Sequence, residues 1–285
     1  MFHIFLFLSS SFNITAYMRF VYVILLTLLL STMRLCWAND TADLIIHSDL
    51  KNVSQDHTED HILEFWGYHN YQGSENYSDT LKLRYYEPLK IDRWRGTMRL
   101  DTSYIANYGL TLPSQATGQY SAGNTLLTVW GGLPGWQANF GGRIIFPFGN
   151  NGQWVAGPQV SASFSPVEGS HSVLNDFSPL MRYMYGFDSK NNAGTASPNQ
   201  GTLLRTLSLF PTLGIHLAHD TQLRLWDENG IVHNTAGGGW FVPIDAMVTH
   251  RLNKNFLLAI GASKQVVETY PEYKWSVYGK VSFNF

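Results

Sequence analysis

Histidine and serine side chains are the residues of this sequence whose types and spacing could support covalent catalysis. His171 stands directly before Ser172, and His47 stands before Ser48 and Asp49. Such chemistry needs a nucleophile and a base within hydrogen-bond reach of each other. Neighbouring residues on a strand point to opposite faces, so neither group forms a catalytic pair by adjacency. Since the sequence also lacks a Gly-x-Ser-x-Gly motif, we predict no catalytic residues.

A metal or phosphate site has no stronger basis in the sequence. His57 and His61 are four residues apart, with Asp60 and Glu64 nearby, a spacing that would bring them to one face of a helix. The surrounding segment is polar and acidic, which favours a solvated stretch of chain over a metal site. The Gly-rich stretch 147–153 opens no predicted helix, so it is a hairpin loop and not a phosphate cradle. We predict neither a metal nor a cofactor.

Cysteine usage and charge exclude several other classes of protein. The single cysteine, Cys36, lies in an N-terminal stretch that we predict to be removed. The remaining chain would then have no disulfide framework, no thiol chemistry and no cysteine zinc site. Residues 1–38 hold two of the 19 basic residues and none of the 21 acidic ones, which leaves 17 basic residues and a net charge of −4. This balance gives no electrostatic footprint for nucleic acid.

The N-terminal sequence is typical of an export signal. The pair Met18-Arg19 precedes the apolar run 20–30, and small residues stand at positions 36 and 38. A charged region, a short apolar region and a small-x-small site are the parts of a signal peptide. We predict a signal peptide over residues 1–38, with Met18 as the expected translation start. The alternative is a membrane-anchoring helix, but an arginine interrupts the run before the roughly 18 apolar residues of a span.

The rest of the chain alternates apolar and polar residues with the period of a β-strand. The clearest example has Trp136, Ala138 and Phe140 on one face. Gln137 and Asn139 lie on the other face, because side chains alternate along a strand. Segments of roughly ten residues with this pattern are typical of membrane β-barrels. We place strands near 62–70, 80–88, 95–106, 121–131, 135–147, 153–165, 179–188, 202–216, 220–227, 239–250, 256–265 and 273–285.

This pattern predicts an all-β fold, a closed antiparallel transmembrane β-barrel of about twelve strands. The barrel would occupy residues 61–285, after a polar periplasmic segment at 39–60. No apolar run after the export signal is long enough for a membrane helix. Only 14% of residues are charged, against about 25% in ordinary soluble domains. The alternative is a soluble barrel or sandwich with the same aromatic residues inside.

The final strand carries the strongest sign of the outer membrane. Trp275, Val277 and Val281 alternate with polar residues, and the sequence ends on Phe285. A terminal aromatic residue of this kind resembles the closing strand of bacterial outer-membrane barrels. The resemblance implies that the C-terminal strand ending at Phe285 is recognised by the outer-membrane barrel assembly machinery. The other expected partners are outer-membrane lipid and a small-molecule solute, with no nucleic acid.

Loop lengths suggest an orientation for this barrel. The C-terminus should lie in the periplasm, where turns are short. Short turns at 131–135, 217–220 and 252–255 then fall on the periplasmic side, and only 166–178 is long for such a turn. The long polar stretches on the outer side are 107–120, 189–201 and 228–238.

Charged residues of the strands are expected to face the lumen, since Arg or Lys facing lipid near the bilayer midplane costs about 2–4 kcal/mol. Such charges would either form a hydrated, salt-bridged interior or line a weakly cationic pore that favours anionic or polar solutes. Arg205 and Lys264 do not follow this register. The candidate lumen-lining residues are Arg84, Arg99, Asp101, Arg143, Arg182, Arg224, Asp245 and Lys280, together with Lys82 and Lys274.

From about residue 120 onward the chain resembles a family of bacterial outer-membrane proteins. The family is that of the putative transporters associated with the meta-pathway of phenol degradation, related in broad form to long-chain fatty-acid channels. Three stretches carry the resemblance: Phe146–Pro158, Trp240–His250 and Tyr270–Phe285. It implies a barrel that passes small, often apolar or aromatic, compounds without an energy source. The fatty-acid channels carry a Gly-rich N-terminal hatch, whereas residues 39–60 contain no glycine.

Together these observations predict a passive outer-membrane channel for small molecules and no enzyme activity. Two alternatives stay open at this point. One is an outer-membrane lipid-modifying enzyme, and the other is a barrel that serves structure or surface interaction without transport.

Overall fold

A computed structural model describes residues 60–73, 76–108, 119–147, 153–165, 173–189, 203–270 and 272–285. The predicted signal peptide and residues 39–59 of the predicted periplasmic segment lie outside the described residues. Most of the residues considered above for chemistry also lie outside the described residues: His47, Ser48, Asp49, His57, His171 and Ser172. His61, Asp60 and Glu64 are described. In the part of the chain that is described, no helix is long and apolar enough to cross a membrane.

The described residues form fourteen strand segments in one antiparallel sheet. They are β1 (Ile62–Gly73), β2 (Asn76–Ile91), β3 (Trp94–Tyr108), β4 (Gln119–Ala122), β5 (Leu126–Gly132), β6 (Ala138–Ile145), β7 (Gln153–Ala162), β8 (Leu174–Ser189), β9 (Arg205–Ala218), β10 (Thr221–Leu225), β11 (Ile231–Asn234), β12 (Trp240–Asn253), β13 (Phe256–Glu268) and β14 (Trp275–Asn284).

The fourteen segments make a closed ring of twelve strands. β4 and β5 both pair with β3 and form one interrupted strand. β10 and β11 likewise share the place between β9 and β12. β1 pairs with β14 over ten residue pairs, which closes the ring. The predicted closed antiparallel barrel of about twelve strands is confirmed, and each predicted strand position carries a strand.

The barrel is polar inside and apolar outside. On β1, Glu64, Trp66 and Tyr68 are buried, whereas Phe65 between them is 51% exposed. Among the described residues, 23 polar or charged side chains are buried, against 16 hydrophobic ones. A soluble domain shows the opposite preference, because its apolar side chains are the ones removed from water. The alternation therefore directs charged side chains into the ring.

The stretch after β10 differs from the prediction. We expected a strand at 220–227 followed by a long outer stretch at 228–238. Instead, the strand breaks after Leu225, turns inward over 226–230 and resumes as β11. Trp226 has a φ of 50°, the left-handed conformation that starts this departure. The prediction was wrong here because a polar sequence of this kind reads as an exposed loop unless its partners inside the barrel are known.

The connection between β7 and β8 is also shorter than expected. The sequence suggested an irregular stretch over 166–178, but β8 begins at Leu174. Phe164, just after β7, already pairs with Phe177 of β8 in an isolated antiparallel bridge. Short turns join β9 to β10 and β12 to β13, as predicted for the end of the barrel that holds the C-terminus.

Close backbone packing at Gly157 gives a test of this sheet. A Cβ atom at this position would lie 1.7 Å from the carbonyl oxygen of Tyr183 on β8. We expect Gly157→Ala to lower the free energy of unfolding by about 1–3 kcal/mol, as overpacking does in cores. Urea unfolding of the protein refolded into lipid vesicles would measure the loss. Gly67→Ala is the matched control, since nothing lies within 4 Å of that Cβ position, and equal stability of both variants would contradict the prediction.

Candidate functional site: the barrel lumen

The eight predicted lumen-lining residues all lie on inward strand faces, at positions that alternate with outward ones. Six of them are buried, and Arg143 and Lys280 are half-buried. Lys82 also faces inward and is half-buried, whereas Lys274 lies just before β14 and is exposed. The six buried residues are Arg84, Arg99, Asp101, Arg182, Arg224 and Asp245.

Alternating charges cross the first three strands at one level of the barrel. Glu64 on β1 is the register partner of Arg84 on β2, which is in turn the partner of Asp101 on β3. Arg84 Nη1 lies 3.5 Å from Glu64 Oε2, and Arg84 Nε lies 3.3 Å from Asp101 Oδ1. Lys280 Nζ on β14 donates to Glu64 Oε1 at 2.7 Å. Opposite charges on neighbouring strands stabilise a sheet pairwise, so this row extends across the seam that closes the ring.

Aromatic rings lie against the cations of this row. Trp66 stacks on Tyr68 with ring centroids 5.7 Å apart, and Tyr278 packs against both rings. The guanidinium carbon of Arg84 lies 4.9 Å from the Trp66 ring centroid, and Lys280 Nζ lies 4.8 Å from it. Cation–π contacts of this kind attract both cations to the face of the Trp66 ring.

The inward segment, residues 226–230, is held by its own side of the barrel. Trp226 Nε1 donates to the carbonyl of Pro243 at 2.9 Å. Asn229 Nδ2 donates to Asp245 Oδ1 at 2.9 Å, and Tyr278 OH donates to the same oxygen at 2.7 Å. Asp245 is thus a structural anchor for the inward segment, because two neutral donors occupy its carboxylate.

Glu228 carries the inward segment across the lumen. Its Oε1 accepts hydrogen bonds from Tyr68 OH at 2.7 Å and from Lys82 Nζ at 3.0 Å. Its Oε2 lies 3.2 Å from Arg84 Nη1. Around the ring, β2 lies five strands from the interrupted strand β10–β11 in one direction and seven in the other. Because these strands are almost opposite each other, the contacts of Glu228 narrow the lumen at this level.

A second ion-pair group anchors β10 to β8. Arg224 donates from Nη1 to Asp176 Oδ1 at 3.0 Å and from Nη2 to Asp176 Oδ2 at 3.1 Å. Arg224 Nε donates to Asp227 Oδ1 at 3.1 Å. This two-pronged contact with a fully buried carboxylate is the strongest geometry available to an arginine. It fixes the point from which the inward segment leaves the barrel wall.

Four acidic residues of the lumen were missed by sequence reasoning. Asp176 fell in the predicted turn 166–178, and Asp227 and Glu228 fell at or beyond the end of a predicted strand. Only Glu64 had a usable signal, since it alternates with Leu63 and Phe65 within a predicted strand. A charged residue in that position faces the lumen by the same argument that selected the basic residues.

A cavity of about 200 Å³ remains beside the inward segment. Its wall includes the apolar residues Leu126, Leu180 and Phe210. Five cationic and three acidic side chains also line it, so its formal charge is positive. These are Lys82, Arg84, Arg99, Arg143 and Arg182, with Asp101, Asp227 and Glu228.

Comparisons with solved structures show that this fold is similar to that of outer-membrane β-barrels. No protein-family model matches the sequence, and no curated protein gives a significant match to it. The crystal structure of an outer membrane channel from Pseudomonas putida F1 has a TM-score of 0.57 and 12% sequence identity, over 79% of this chain and 95% of that chain. The structure of the NanC porin has a TM-score of 0.48 and 12% identity, over 78% of this chain and 99% of that one.

The closed twelve-strand ring, with its polar interior and apolar exterior, is the fold of bacterial outer-membrane β-barrels. The chain is therefore a barrel of the outer-membrane type. The narrower resemblance to the transporters of the meta-pathway of phenol degradation stays a prediction.

Removing the carboxylate that crosses the lumen should weaken the barrel. Glu228→Ala leaves Lys82 without its carboxylate and Arg84 with one fewer, so we expect the free energy of unfolding to fall by about 2 kcal/mol. Urea unfolding of the protein in lipid vesicles measures this loss of stability. Glu87→Ala is the control, because Glu87 pairs with His61 at the end of β1 and both side chains are about a third or more exposed. The free energy of unfolding of Glu87→Ala should stay close to that of wild type. If Glu228→Ala is as stable as this control, the contacts across the lumen contribute little to stability.

Proposed function

We propose that this protein is a passive channel for small molecules in the bacterial outer membrane. The observation that carries the proposal is a closed ring whose interior is charged and retains a cavity, while its exterior is apolar. A soluble carrier would have no use for an apolar exterior. A structural barrel could also contain salt bridges in its lumen, so the cavity that remains beside them is what favours a channel.

The outward face supports residence in lipid. Large apolar side chains lie exposed at positions that alternate with buried polar ones along the strands, as an outward band facing hydrocarbon would require. We propose outer-membrane lipid as the partner of this face, and recognition of the C-terminal strand by the barrel assembly machinery. Exposed examples from six strands are Phe65, Leu81, Leu100, Tyr104, Phe140, Met181, Tyr183 and Ile244.

Transport by this barrel requires no covalent step. A solute diffuses through the lumen, and the charges on the wall determine which solutes enter and leave readily. Barrels of 16–18 strands enclose a wide aqueous channel, whereas smaller rings leave much less room. The inward segment narrows the lumen further, so small solutes are the class that fits. The aromatic or apolar compounds implied by the family resemblance belong to the same size range.

Planar-bilayer recordings test the proposal directly. The protein, refolded from residue 39 onward, should insert and give discrete conductance steps. Heat-modifiability on a gel checks in the same preparation that the barrel is folded. A folded barrel that inserts but never conducts and never passes solute into vesicles would contradict a channel function.

The inward segment makes a second prediction for the channel. Glu228→Ala removes the contacts to Tyr68, Lys82 and Arg84 that hold the segment across the lumen. We expect larger single-channel conductance than in wild type, because the narrowest level of the lumen widens. Recordings of Glu87→Ala, whose side chain lies away from this level, provide the control. An unchanged conductance in Glu228→Ala would mean that the narrowest point lies elsewhere.

A further inference from the structure

Arginines on neighbouring strands form a second row in the lumen, and this row lacks the alternating signs of the first. Arg99 on β3 is the register partner of Thr128 on β5, and Thr128 is the partner of Arg143 on β6. Arg182 on β8 lines the same cavity. Like charges on one face of a sheet repel each other, so such a row needs compensation from elsewhere.

Of these three arginines, only Arg99 has a carboxylate neighbour among the described residues, whereas Arg143 and Arg182 donate to neutral acceptors. Arg99 lies 3.0 Å from Asp101 as an ion pair without hydrogen-bond geometry. Arg143 Nε instead donates to the hydroxyl of Thr128 at 2.9 Å. Arg182 Nε donates to the amide oxygen of Gln159 at 3.0 Å. Among the residues that the structure describes, neither Arg143 nor Arg182 has a carboxylate within ion-pair distance.

The carboxylates of the cavity wall are already engaged by other cations. Asp101 is within 3.3 Å of both Arg84 and Arg99. Glu228 is bound by Lys82 and Arg84, and Asp227 by Arg224. Among the described residues, no carboxylate therefore balances the positive charge of Arg143 and Arg182. Arg182 is 7% exposed, and the buried Nη2 of Arg143 has no hydrogen-bond partner.

We infer that Arg143 and Arg182 form a binding site for a small organic anion inside the lumen. The guanidinium donors that their neutral neighbours leave unused would bind a carboxylate or a similar planar acid group, as arginine forks do. The ring of Phe210 lies 5.6 Å from the guanidinium carbon of Arg182, and with Leu126 and Leu180 it gives the cavity an apolar wall. The anion that fits therefore carries an apolar body of limited size. This inference rests on the proposed function, since the site lies on the route through the barrel.

Benzoate is the probe, with benzamide as its neutral analogue of the same size and acetate as an anion without an apolar body. Isothermal titration calorimetry on the barrel refolded in detergent, at low ionic strength, measures their affinities. We expect saturable binding of benzoate, weaker binding of acetate and none of benzamide. Equal affinity for benzamide and benzoate, or no benzoate binding at all, would overturn the site. Acetate binding as tight as that of benzoate would show that the apolar wall contributes nothing to binding, and would overturn the proposed anion with an apolar body.

Two substitutions assign the binding to the arginines. Arg143→Gln and Arg182→Gln should each weaken benzoate binding about tenfold, as expected for the loss of one charged hydrogen-bonding group. Arg205→Gln is the matched control, because Arg205 packs on Tyr185 on the outer face. Heat-modifiability shows that each variant is folded. Unchanged benzoate affinity in both lumen variants would overturn the assignment.

Calorimetry in detergent does not depend on conduction, so the two proposals fail separately. A barrel that conducts but binds no benzoate has no anion site and is still a channel. A barrel that binds benzoate but never conducts retains the site and is not a channel. In a conducting barrel, benzoate should also reduce the ionic current of wild type more than that of Arg182→Gln.

Discussion

Pairing of β1 with β14 is the constraint on which the rest of the structure depends. An open sheet in lipid would leave a row of backbone donors and acceptors without partners, and each unmet group is costly there. The register from Ile62 opposite Asn284 to Tyr71 opposite Trp275 removes both edges at once. It also brings Lys280 beside Glu64 and Trp66, so the first charge row forms only in the closed ring. Closure thus decides the backbone hydrogen bonds and the arrangement of the lumen together.

Charges inside the ring are arranged in two different ways. On β1 to β3 the signs alternate, and each guanidinium or ammonium group has a carboxylate neighbour. Between β3 and β8 arginines follow one another with neutral residues between them. The inward segment joins the first arrangement through Glu228. In the second arrangement Arg99 has Asp101 as a neighbour, but Arg143 and Arg182 have no carboxylate within ion-pair distance among the described residues. One side of the lumen is therefore a salt-bridged wall, and the other is the side on which we infer a site for a negatively charged solute.

The inward segment shows why a barrel lumen is not simply the inner face of its strands. Trp226, Asn229 and Gly230 make the departure from the strand possible through a left-handed turn, a side-chain contact to Asp245 and close packing on Phe210. Glu228 then contacts the opposite wall. A segment of five residues thereby couples two nearly opposite strands, so the width of the lumen depends on side-chain contacts as well as on strand number.

The alternation of apolar and polar residues predicts both the strands and the two faces of each strand. Alternation of apolar and polar residues follows directly from the two-residue period of a strand, so the twelve crossings and the inward position of Arg84 or Arg182 could be read from order alone. It could not show which charges meet, because Glu64 and Lys280 are 216 positions apart and come together only through closure. Nor could it place Glu228, since the cations that bind it, Lys82 and Arg84, lie on β2, far away in the sequence. Closure of the ring determines which charges pair, and it leaves Arg143 and Arg182 without a carboxylate neighbour among the described residues.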